Sequence, residues 1–103
     1  MANKLIQLSD GNDLLFPIGS FESLTSATNL DNVKRSTNAW CNNVGGKPSG
    51  VTNTYGWLEL VWDDTNGIGI QKYYVFGTTG IVGMYIRCFV NNQWYAWKQI
   101  QLA

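Results

Sequence analysis

The chain has 103 residues, with seven acidic side chains, seven basic ones and no histidine. That length suits one domain, which buries roughly 65% of its unfolded surface. Charged residues make up only 14% of the chain and form no basic patch or run, so the electrostatic drive toward nucleic acid or anionic membranes is missing.

Residues 1–19 read as a separate arm. Lys4 to Leu8 and Leu14 to Phe16 are strand-like, and Ser9-Asp10-Gly11-Asn12-Asp13 between them is a turn signal. The apolar positions are Leu5, Ile6, Leu8, Leu14, Leu15 and Phe16. A two-stranded hairpin is marginal alone, so this arm is expected to pack on the domain, on a sister chain or on another protein. Pro17 and Gly19 break the run. The start, Met1-Ala2-Asn3-Lys4, leads into a run too short for a signal-peptide core, and no apolar stretch approaches a membrane span.

The main domain is expected over residues 20–103. Ser20 to Val33 is the one segment with helical signals. Ser20 is a candidate N-cap, Glu22 and Ser23 follow in a first turn, and Asn29 can cap a second. One or two short helical turns, or an irregular polar connection, are the two readings. Lys34 to Trp40 predicts a strand or its approach, with Trp40 and Cys41 half-buried. Asn42 to Thr54 predicts a long loop, because Gly45-Gly46 and Pro48 disfavour regular structure. Loops of that length tend to be functional or disordered.

Tyr55 to Trp62 alternates strictly: Trp57, Glu59 and Val61 point one way, and Leu58, Leu60 and Trp62 the other. Asp63 to Gly67 is a turn, Ile68 to Phe76 a strand, and Gly77 to Gly80 a turn. Ile81 to Leu102 then reads as a hairpin around Asn91-Asn92, since asparagine tolerates the positive φ of primed turns. A two-residue turn pairs Val90 with Gln93, Phe89 with Trp94, Cys88 with Tyr95, Ile86 with Trp97 and Tyr85 with Lys98. The fold class is therefore mostly β: a small antiparallel meander or sandwich of about five to seven strands, with an N-terminal hairpin arm and one short helical segment.

Trp57 and Trp62 fall on opposite faces by this spacing, and so do Trp94 and Trp97. Large rings on both faces call for a second cover, supplied by residues 1–50, by another copy, or by both. Cys41 and Cys88 are expected as reduced thiols, with Cys88 a small core residue.

No catalytic set is legible. Without histidine the commonest general base and neutral metal ligand are gone, and two cysteines cannot assemble an ordinary zinc site. Glu59 and Asp31 are the only carboxylates considered for glycoside hydrolysis, and nothing in the sequence joins them. Asp63 and Asp64 read as turn formers. No enzyme activity, cofactor or metal is expected.

Tyr85-x-Arg87, a polar turn, then Trp94-x-x-Trp97-Lys98-Gln99-Ile100 resembles the closing motif of small β-rich knob modules in phage tail fibres and pyocin fibres. There the usual form is aromatic-x-Arg followed by Trp-Ser-x-Trp-Lys or Trp-Ser-x-Trp-Arg; Tyr95 stands here where serine is usual. Asn29-Leu30-Asp31, the loop from Asn43 to Ser49, Gly56 to Trp62 and Gln71-Lys72-Tyr73-Tyr74 are similar to the modules' opening, loop and next two strands. The likeness spans residues 29–102. It implies a virion protein made in the bacterial cytoplasm, a homotrimer, and a host-surface glycan as partner. Other virion proteins are expected to contact the arm.

Sugars lie with apolar C–H faces on aromatic rings while amides reach their hydroxyls, so Tyr55, Trp57, Asn91, Asn92 and Tyr95 are the candidate glycan-binding residues. Tyr85, Arg87, Trp94, Trp97 and Lys98 are the candidate hairpin motif. Arg87 either grips an acidic sugar or is structural, stacked on a ring and paired with a carboxylate. A purely architectural anchor that docks through the arm and binds no sugar is the alternative.

Overall fold

A computed structural model describes residues 4–7, 13–16 and 21–101 of the chain. The protein is mostly β, with a single 3-10 turn among the described residues. Strands β1 (Lys4–Gln7) and β2 (Asp13–Phe16) pair antiparallel, Leu5 with Leu15 and Ile6 with Leu14, as a two-stranded sheet of their own. The rest form one seven-stranded sheet: β3 (Glu22–Leu24), β4 (Thr37–Asn42), β5 (Tyr55–Asp63), β6 (Ile68–Gly77), β7 (Gly80–Val90), β8 (Gln93–Trp94) and β9 (Lys98–Gln99). Their spatial order follows the chain, with β8 and β9 both on β7.

The expected helical start at Glu22-Ser23 is replaced by β3, which runs parallel to β4, Glu22 beside Ala39 and Leu24 beside Cys41. Buried Leu24 and a free edge on β4 outweigh the local cap signal there. The second expected turn forms: Leu30–Asn32 is a 3-10 turn, and the Asn29 side chain accepts the Asp31 N–H at 2.8 Å. Proposed features at Leu8, Ser9 to Asn12, Pro17, Gly19 and Ser20 lie outside the described residues.

Alternation gives the sheet an inner and an outer face. The inner face carries Leu24, Ala39, Cys41, Leu58, Leu60, Tyr73 and Val75, all buried. The chain's own connections cover it, through Leu30 and Val33 on one side and Val44 and Pro48 on the other. The loop from Asn43 to Thr54 is thus part of the core. Gly46 sits in it at φ +74, where a Cβ would strike the Asn29 carboxamide, so glycine is required there twice over.

The terminal hairpin turns at Asn91 (φ 54) and Asn92 (φ 60), and Phe89 pairs with Trp94 and Val90 with Gln93. Beyond Trp94 the register changes. The Tyr95 N–H still donates to the Cys88 carbonyl at 3.0 Å, Ala96 and Trp97 leave the ladder, and β9 rejoins with Ile86 opposite Lys98 and Tyr85 opposite Gln99. One extra residue between β8 and β9 moves everything after it by one position. A shift of one exchanges the faces. Trp97, expected opposite Trp94, therefore lies on the same inner face.

Cys88 also departs from expectation. It is exposed on the outer face of β7, while Cys41 is buried on the inner face of β4; both are free thiols. Neighbouring Phe89 takes the core position instead.

Candidate functional site

The motif residues of the last hairpin act as a clasp. The Arg87 guanidinium lies between two indoles, 4.3 Å from the ring centroid of Trp94 and 4.3 Å from that of Trp97. Its Nε donates to Gln71 Oε1 at 2.8 Å and its Nη1 to Asp31 Oδ1 at 2.8 Å. Gln71 Nε2 donates onward to the Leu30 carbonyl at 2.8 Å. The two indoles reach the same cover: Trp94 Nε1 donates to the Asp31 carbonyl at 2.9 Å and Trp97 Nε1 to the Gly46 carbonyl at 3.2 Å. Four of these polar contacts, with two stacked rings, tie the 3-10 turn and the Gly46 loop to the sheet, and the fifth, Arg87 to Gln71, joins β7 to β6. Burial lowers the Arg87 pKa and Asp31 raises it, but a guanidinium stays charged at any ordinary pH. Tyr85 lies beside this clasp, in a concavity it shares with Arg87 and Trp97. Lys98, paired with Ile86, is exposed on the outer face.

The outer face is different in kind. Phe21, Tyr55, Val61, Ile68, Ile70 and Val90 all keep more than a third of their surface exposed there. A row across the strands, Asn38, Glu59, Lys72, Ile86 and Lys98, polar except at Ile86, divides it. On one side of that row Val61, Ile68, Ile70, Cys88 and Val90 line a shallow apolar concavity of about 260 Å³. On the other side lies a cleft of about 640 Å³. Its wall is aromatic. Trp40 stacks on Tyr55 at 5.2 Å between centroids, 21° from parallel, and meets Phe76 at 5.6 Å. Its rim carries Asn53, Thr54, Thr78 and Thr79, supplied by the loop before β5 and the β6–β7 turn. Pairing of β4 and β6 on either side of β5 brings these residues together.

The five glycan candidates are thereby split. Tyr55 lines the cleft, and Trp57 flanks it. The Trp57 indole already donates to Asn38 Oδ1 at 2.6 Å and is met edge-on by Phe21. Asn91, Asn92 and Tyr95 sit at the other end of the sheet, where Asn91 Nδ2 donates to the Tyr95 hydroxyl at 3.4 Å and lowers its pKa. Trp40, Phe76, Asn53, Thr78 and Thr79 complete the cleft and were missed; the register that sets Trp40 across from Trp57 is not readable from the sequence across the intervening loop. Leu5, Ile6, Leu14, Leu15 and Phe16 of the arm lie in β1 and β2, and Leu8 outside the described residues.

Glu59 and Asp31 do not meet. Glu59 is on the outer face, bonded to the Tyr74 hydroxyl, and Asp31 is in the inner cover against Arg87. Asp63 caps its own turn, accepting the Thr65 N–H at 3.0 Å and the Asn66 amide at 2.8 Å. Among the described residues no cluster of carboxylate and thiol groups is placed to hold a metal ion. The chain matches no protein-family model, no curated protein and no solved structure.

Proposed function

We propose that the chain is a non-catalytic structural module of a bacteriophage fibre or spike, assembled with sister copies and contributing to attachment at a host-surface glycan. The observation that carries this reading is the bare outer face. Among the described residues the chain's own loops close the inner face, and the outer one is left with an aliphatic patch at one end and an aromatic, polar-rimmed cleft at the other. Sheet edges are poor alternatives for assembly, because β3, β8 and β9 are only two or three residues long. The patch around Val61 and Ile70 is the surface assigned to sister copies, a trimer in the form the fibre resemblance implies. In that form the chain is made in the bacterial cytoplasm and works in the virion.

Two measurements on the purified chain test this. Light scattering at micromolar concentration should give a trimer, and Val61→Asp should give a folded monomer. Labelled protein should bind host cells, and Tyr55→Ala should lose that binding with the fold intact. A wild-type monomer that binds no cells contradicts the proposal.

The second reading is an architectural anchor without sugar binding. It is favoured by one observation: β1 and β2 form a sheet separate from the other seven strands, and such a hairpin needs a surface to dock on. Capture of a virion protein that is lost on removing residues 1–19, with no binding to cells, selects it.

A further inference from the structure

We infer that the cleft between Trp40, Tyr55 and Phe76 takes an uncharged pyranose rather than an acidic sugar or a cationic group. This rests on the attachment function proposed above and narrows it to a ligand class.

The wall is the first reason. Trp40 and Tyr55 are stacked, 5.2 Å between centroids and 21° from parallel, and Tyr55 still keeps 47% of its surface exposed. With Phe76 tilted against Trp40, they leave aromatic surface on the wall of the cleft. The C–H face of a pyranose can lie on such surface, gaining dispersion and apolar burial without needing a charge.

The rim is the second. Asn53 is held with its Nδ2 donating to the Phe76 carbonyl at 3.3 Å, which leaves its Oδ1 to accept from a hydroxyl. Thr78 and Thr79 are exposed in the turn opposite and present hydroxyls that both donate and accept. Amides and hydroxyls at the edge of an aromatic wall can satisfy the ring hydroxyls of a sugar that lies on it.

The third reason is what the lining leaves out. None of Trp40, Asn53, Thr54, Tyr55, Phe76, Gly77, Thr78, Thr79 or Val82 carries a charge. Lys47 is the neighbouring cation, and its ammonium is turned to the Asn53 carbonyl at 3.0 Å, outside the lining. A sugar carboxylate entering here would lose water and gain no charged partner. At about 640 Å³ the cleft lies inside the roughly 300–1,000 Å³ span of small-ligand sites, room for one or two rings.

The test is an NMR titration of the full chain, isotope-labelled, with methyl glucoside, methyl galactoside and N-acetylglucosamine, and separately with glucuronic acid and N-acetylneuraminic acid. At least one neutral sugar should shift the Trp40 indole and the Asn53, Thr78 and Thr79 amides, with a Kd of about 1 mM, the range for a single ring. Trp40→Ala should weaken this at least tenfold; Thr79→Ala, at an exposed turn position, supplies a variant that keeps the wall and should weaken it several-fold. Lys47→Ala should leave it unchanged. Acidic sugars shifting these signals more strongly than neutral ones, with loss in Lys47→Ala, overturn the inference while glycan attachment stands. Host-cell binding with no sugar acting at these signals overturns it too. Failure of all cell binding removes the attachment function itself.

Discussion

The two faces of one sheet are built from similar residues and end in different states. On the inner face Trp62, Phe89, Trp94, Trp97 and Tyr73 form a set of ring contacts around Arg87, and the indole N–H groups of Trp94 and Trp97 are spent on the chain's own loops. On the outer face Trp40 contacts Tyr55 and Phe76, and Trp57 contacts Phe21, yet among the described residues no loop covers them, and Val61 remains 72% exposed. Aromatic content alone does not distinguish core from interface. What distinguishes them is cover: the 3-10 turn and the Gly46 loop close over the inner rings and bond Trp94 and Trp97, and among the described residues nothing closes over the outer rings in the same way.

The contrast breaks most completely by opening the clasp. Trp97→Ala removes one of the two indoles on Arg87 and the donor to the Gly46 carbonyl. This should cost about 3 to 4 kcal/mol, toward the range for loss of a large core ring, and shows in urea denaturation. Arg87→Ala follows at about 3 kcal/mol, because it empties the space between two indoles and leaves Gln71 Oε1 without its donor. Asp31→Ala should cost about 1 kcal/mol, since Asp31 is half-exposed and Trp94 bonds its backbone carbonyl, which the substitution keeps. Val61→Asp on the outer face should change monomer stability by less than about 0.5 kcal/mol while abolishing self-association. The smallest effect belongs to Asp63. Its turn hydrogen bonds, chiefly from Asn66, hold its carboxyl below the free value of 3.8. A depressed folded pKa means its contribution is present above the unfolded value and is lost as pH falls through the folded one. A carbon-detected NMR titration should place Asp63 below 3.8, and Asp63→Asn should remove that small acid-side loss.

Much of this fold is legible because period-two patterning and turn chemistry act locally. The Asn91-Asn92 turn, the Phe89–Trp94 pair and the alternation of β5 all follow from neighbours in sequence. The break at Ala96 and Trp97 is not legible, since a single extra residue carries no compositional mark, and it decides where Trp97 points. Cys88 was assigned to the core because both faces of β7 are apolar, so composition could not select one. Glu22-Ser23 looked like a helix start until the free edge of β4 claimed it. At the cleft, Tyr55 was within reach of sequence reasoning. Trp40 and Phe76 were not, because they join it only through the registers of β4 and β6 against β5, and the sequence does not state the β4–β5 register across the loop from Asn43 to Thr54. Asn91, Asn92 and Tyr95 were grouped with Tyr55 on chemistry alone, and the sheet separates them by its full length.

The reactivity of Cys88 toward a maleimide, followed as protein concentration rises, is the most direct measurement of whether the outer face belongs to sister copies. Cys88 lies in the patch beside Val61 and Ile70, and Cys41 serves as a silent control, its thiol pushed up to about 11 by burial. The labelling rate of Cys88 should fall as concentration increases and should lose that dependence in Val61→Asp. A rate that stays the same from dilute to concentrated protein would contradict it.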